Sequence, residues 1–91
     1  MKHRAESFRL LATETIKLTV RDISNWVALP QEVRAGEYSE LGDLDRNKKR
    51  NYLSAIHFLR SAYFKEFCTS FTRLDPIGFR EQVCQLFELK L

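Results

Sequence analysis

Residues 43–74, DLDRNKKRNYLSAIHFLRSAYFKEFCTSFTRL, contain neither glycine nor proline. Nothing in that stretch obliges the backbone to leave a helix. Tyr52, Ile56, Leu59, Tyr63, Phe67, Phe71 and Leu74 recur at steps of three and four, the period of one helical face. The spacing predicts a single long helix over 43–74. About 30 helical residues span roughly 45 Å, whereas a compact chain of this length has a diameter of roughly 30 Å. Three outcomes reconcile those lengths: a break near Thr69–Thr72, an elongated molecule, or a second subunit that covers the overhang.

The flanking segments read as helices too. Phe8, Ala12, Ile16, Val20, Ile23 and Val27 form an apolar stripe, with Leu11 and Trp26 at its edges and Glu14, Lys17, Arg21, Ser24 and Asn25 opposite. This predicts a first helix over 6–29, starting at Glu6 or Ser7 and closed by Pro30. The β-branched run at Thr15–Val20 leaves a strand as the competing reading, because Ile16, Leu18 and Val20 also alternate. Residues 30–42 form an acidic loop with room for one helical turn at Pro30–Arg34. Asp43 or Asp45 suits the N-cap of the long helix. Asp75-Pro76 combines a capping side chain with a proline at the first helical position, and starts a last helix over 76–90. Phe79, Val83, Leu86 and Phe87 are its apolar positions.

The expected fold is therefore all-α: one domain over 1–91, either a three-helix bundle or an elongated helical hairpin with one long central helix. Three glycines and two prolines argue against a turn-rich β fold. A 44% hydrophobic share argues against disorder. No run has the apolar length to cross a bilayer, and the N-terminus lacks a signal-peptide core. The expected location is intracellular, cytoplasmic rather than nuclear, with Cys68 and Cys84 as reduced thiols.

Charge is strongly polarised. Residues 30–45 hold five acids and one base, and residues 46–65 hold six bases and no acid. Arg46, Lys48, Lys49 and Arg50 crowd the positive end of a helix dipole, which is unfavourable by a few tenths of a kcal/mol each. With Arg60 and Lys65 they form a candidate surface for nucleic acid or an acidic partner. Phe58, Ala55 and Ala62 make a second apolar face on the long helix, flanked by His57 and Phe64. Phe58, Tyr63 and Phe64 are the candidate anchors of a dimer seam or partner groove.

No catalytic residues are assigned: the carboxylates are scattered, and no glycine-rich phosphate loop or nucleophile motif is present. No cofactor is implied. His3, His57, Cys68 and Cys84 lack the spacing of a zinc site, so no metal is assigned. The expectation is a small non-enzymatic regulatory or adaptor protein acting through protein–protein contacts, as a homodimer. The alternative is a nucleic-acid-binding protein using the basic start of the long helix.

Overall fold

The computed structural model describes the backbone of residues 2–91 and the side chains from Arg9 onward. His3, Glu6, Ser7 and Phe8, which entered the sequence argument, lie outside the described side chains. The chain is all-helical, and no strand occurs among the described residues. Its elements are α1 (Lys2–Val27), α2 (Gln31–Ala35), a 3-10 turn (Tyr38–Glu40), α3 (Asp43–Arg60), α4 (Ala62–Phe71) and α5 (Pro76–Phe87).

The first helix begins at Lys2 rather than near Glu6, since no helix breaker precedes residue 6. It also absorbs the Thr-rich segment. The hydroxyls of Thr13, Thr15 and Thr19 donate to the carbonyls of Arg9, Leu11 and Thr15 at 2.8–2.9 Å. Each threonine thus satisfies its polar group within the helix, and the strand alternative at Thr15–Val20 does not arise. Ala12, Ile16, Thr19, Ile23 and Trp26 are buried along one side, while Glu14, Lys17, Arg21, Ser24 and Asn25 are exposed.

The continuous helix over 43–74 is the main expectation that the structure overturns. It breaks twice: at Ser61, which the spacing did not indicate, and at Phe71–Thr72, within the expected Thr69–Thr72 run. Ser61 is extended (φ −76°, ψ 151°) and ends α3 while capping α4. Its Oγ accepts from the Phe64 backbone N–H at 3.2 Å and donates to the Phe58 carbonyl at 2.7 Å. One hydroxyl therefore reinforces a donor of the new helix and an acceptor of the old one, each of which also bonds to the Ser61 backbone. The consequence is large. Phe58 and Phe67 would stand about 13 Å apart along a continuous helix axis, yet their rings meet at 5.5 Å.

The break at Ser61 also resets the helical phase. Before it, Ala55 and Leu59 are buried, with Tyr52 and Ile56 packed against them; after it, Phe64, Phe67 and Cys68 are buried. Tyr63, placed on the stripe by the continuous reading, is 58% exposed, and Phe64 is fully buried instead.

Three smaller differences have local causes. Gly42 is the N-cap of α3, so Asp43 and Asp45 lie inside its first turn, where carboxylates favour the helix dipole. α5 ends at Phe87, because Glu88 adopts the left-handed conformation (φ 55°) and the Leu89 N–H turns back to the Cys84 carbonyl at 2.9 Å. Leu86 is 72% exposed rather than part of the α5 stripe, in which Val83 is buried and Phe79 and Phe87 are half-buried. Asp75 caps α5 as its sequence implies, accepting from the Gly78 N–H at 3.2 Å, with Pro76 at the first position.

α1 and the α3–α4 arm run antiparallel. Trp26 stacks on Tyr52 at one end (6.1 Å between rings), and Ala12 shares a small cleft with Phe67 and Phe71 at the other. α5 packs against α4 and α1. The molecule measures 50 × 25 × 19 Å with a radius of gyration of 15.0 Å, against about 12 Å for a compact chain of this length.

Candidate functional site

The proposed aromatic anchors divide. Phe64 has no exposed surface. It meets the edge of Phe58 at 5.1 Å and lies 6.0 Å from Phe79. The Arg80 guanidinium sits 5.9 Å from its ring centroid, a contact with no signature in the sequence. Phe58 is half-buried at the hub of this cluster, touching Tyr63, Phe64 and Phe67. Phe64 is a core residue, and Phe58 packs edge-on against it from the margin of the core. Tyr63 alone of the three presents its ring to solvent. The second outer face of the long helix does not exist either: Ala55 is buried and Ala62 is exposed on a different helix.

The basic residues do not form one patch. Arg46, Lys49, Arg50 and Arg60 fall within one arc of α3 together with Leu53 and His57, by the 100° step of a helix. Lys48 falls on another side, and Lys65 lies on α4 beyond the break. Two of the six are committed to local packing. Arg46 donates to the carbonyls of Tyr38 (3.2 Å) and Ser39 (2.7 Å) and lies over the Tyr38 ring. The Lys49 ammonium is 5.9 Å from both the Trp26 and Tyr38 ring centroids. Arg50 donates to the Asn47 side chain. Among the described residues, none of these cations forms an ion pair with the acids of residues 30–45. A shallow cleft of about 320 Å³, lined by Leu53, Ile56, His57, Arg60 and Ser61, opens along the row.

A feature that the sequence did not announce lies at the opposite end of α1. α1 contributes Arg9, Thr13, Ile16 and Lys17 to one wall of a cleft of about 430 Å³, and residues 71–74 form the other. The cleft exists because α4 stops at Phe71 and the chain crosses to α5 in extended form, with Thr72 at φ −134°, ψ 173°. The two threonine hydroxyls are turned to their own backbone: Thr13 donates to the Arg9 carbonyl, and Thr72 donates to the Cys68 carbonyl at 2.8 Å and accepts from the Leu74 N–H at 3.1 Å. What remains among the described lining residues is apolar surface from Phe71 and Leu74 beside the buried Ile16, with three cations, Arg9, Lys17 and Arg73. Among the described residues, no acidic side chain lines it. Phe71 also borders a smaller cleft on the other flank of α1, with Leu11 beside it. Leu10, Leu11 and Leu74 are 65%, 64% and 40% exposed, so this end carries uncovered apolar surface.

The thiols are placed differently. Cys68 is buried and Cys84 half-buried, and both are free. Burial pushes the Cys68 thiol above its ordinary range; a hydrogen bond with Thr72 works the other way, and the Asp75 carboxylate adds to the rise. Among the described residues there is no cluster of metal-ligating side chains, and no helix is long and apolar enough to cross a membrane. Comparison with known protein families, curated proteins and solved structures gives no match to this chain.

Proposed function

We infer that this chain is a small non-enzymatic adaptor or regulator that acts by protein contact, and that the contact surface is the cleft between α1 and residues 71–74. The observation that carries this reading is an open cleft whose lining sets exposed apolar side chains, Phe71 and Leu74, among the cations Arg9, Lys17 and Arg73. Interfaces are built on such surfaces: an apolar centre with polar or charged residues around it. The reading places the contact away from Phe64, which is fully buried, and from Phe58, which is half-buried against it. A Phe58→Asp exchange would place a charge against the packed rings of Tyr63, Phe64 and Phe67 and destabilise the fold.

The test is a photo-crosslinking amino acid placed at Leu74, in the cleft, and separately at Leu86, exposed on α5 away from it. The expected result in the native cell is a discrete protein adduct from position 74 and none from position 86. Equal labelling at both positions, or none at 74, would remove the proposal.

The α3 row supports a second reading, nucleic-acid binding. Arg46, Arg50, His57 and Arg60 line one side of the helix over roughly 20 Å, with no intervening acid. Phosphate contacts of this kind weaken steeply as salt rises. An Arg50→Ala, Arg60→Ala double variant should lower the salt slope of any nucleic-acid binding; an unchanged slope sinks this reading.

A further inference from the structure

The cleft has a charge pattern as well as a shape, and the pattern specifies the chemistry of its occupant. Arg9 and Lys17 stand eight residues apart on α1, about 12 Å or two helical turns. Ile16 lies between them in sequence, and Arg73 rises from the facing wall beside Phe71 and Leu74. Arg9 and Arg73 form no ion pair with any described residue; Lys17 has only Glu14, at 3.2 Å between side chains that are 68% and 57% exposed. A bridge so exposed holds little, so Lys17 can exchange it for an incoming carboxylate. With both threonine hydroxyls donating to their own backbone, the side-chain polar groups left for a visitor among the described lining residues are the three cations.

We propose that the cleft receives an acidic amphipathic helix from a protein partner. Such a segment carries two large apolar side chains one turn apart, with a carboxylate on either side of them. This rests on the adaptor reading above and gives its partner a chemical class. The apolar pair fills the space over Ile16, Phe71 and Leu74, as in other helix-in-groove contacts. The flanking carboxylates reach Arg9 and Lys17 at the two ends, and Arg73 closes over the middle. Two turns of helix match the 12 Å between the end cations. A basic or neutral helix would leave three cations facing like charge or partly desolvated without partners, which selects against it.

The probe is a fluorescein-labelled helical peptide with leucine at positions i, i+3, i+4 and i+7 and glutamate on its flanks, followed by anisotropy. A second peptide replaces each glutamate with lysine. The expected result is saturable binding of the glutamate peptide and none of the lysine peptide. Arg73→Glu and Arg9→Glu should each weaken binding about tenfold or more, and Arg50→Glu, on the α3 row, should leave it unchanged. Circular dichroism checks that each variant remains folded. Equal binding of both peptides, or loss with Arg50→Glu but not with Arg73→Glu, would overturn the proposal. So would sedimentation equilibrium showing a dimer that Arg73→Glu dissociates, because the occupant would then be a second copy of this chain. If the crosslinker at Leu74 captures a partner whose adduct maps to a segment without acidic residues, the adaptor reading survives and this inference fails.

Discussion

Two regions of α1 differ in cover: the apolar stripe is buried from Ala12 to Trp26, whereas Leu10 and Leu11, which lie off that stripe, stay exposed. At its C-terminal end Trp26 is 6% exposed, roofed by Tyr52 and by Lys49 over its ring. At its N-terminal end Leu10 and Leu11 are largely exposed and a cleft opens beside Ile16. The leucines are exposed because of their position on α1, and the cleft beside Ile16 arises from what lies across from the helix. α3 runs as eighteen residues of unbroken helix against the first end, and at the second the chain turns at Ser61 and continues as the ten-residue α4. A stripe of apolar residues therefore states which side of a helix seeks cover; the partner's continuity decides how far along the helix cover is supplied.

The comparison can be broken most directly by truncating one residue at each end. Trp26→Ala should cost about 3–5 kcal/mol in urea unfolding, and Leu11→Ala should stay within about 0.5 kcal/mol. Similar costs would mean that the two ends are equally packed. Phe64→Ala and Tyr63→Ala make the same contrast across adjacent residues: about 3–5 kcal/mol for the first and under about 1 kcal/mol for the second. The reverse order would restore the continuous-helix phase. Ser61→Ala removes the hydroxyl that serves both helices at the turn and should cost about 1 kcal/mol; a stabilised variant would show that α3 and α4 prefer to merge. Glu88→Gly relieves a left-handed residue at the end of α5 and should add roughly 0.5–1 kcal/mol, detectable as a small rise in the urea midpoint.

The smallest effect emerges only in alkaline buffer. Because the folded state raises the Cys68 pKa, it favours the neutral thiol. That contribution is complete below the unfolded thiol value, about 8.5, and is lost as pH rises through the folded value. Stability should therefore fall between neutral and alkaline buffer, and Cys68→Ala should flatten the fall. A profile unaltered by that exchange would assign the dependence to another group.

The all-helical class and the Asp75-Pro76 start of α5 were readable from residue order, because each depends on local chemistry: a 3.6 period, a capping carboxylate, a fixed φ. The α1 stripe was readable in part, since Ala12, Ile16 and Ile23 are buried as expected but Thr19 and Trp26 are buried where Val20 and Val27 are half-buried. The turn at Ser61 was not readable, because serine is tolerated within helices and Tyr63 keeps the ring spacing intact. The competing spacing Phe64, Phe67, Cys68, Phe71 was present in the same letters; choosing it required weighing the more apolar Phe64 over Tyr63 as the buried ring. The cleft was hidden for a different reason. It belongs to no segment, and forms only where the end of α4 leaves α1 unattended. The basic run at residues 46–50 was plain as charge, but sequence gives no sign that Arg46 and Lys49 rest on Tyr38 and Trp26.

A body 50 Å long and 19 Å thick drags more in flow than a ball of equal mass. One copy alone should leave a sizing column early, at the volume of a heavier globular standard. Elution volume would thus report a dimer where none exists, and stoichiometry should be taken from light scattering or sedimentation equilibrium, which weigh particles without regard to outline.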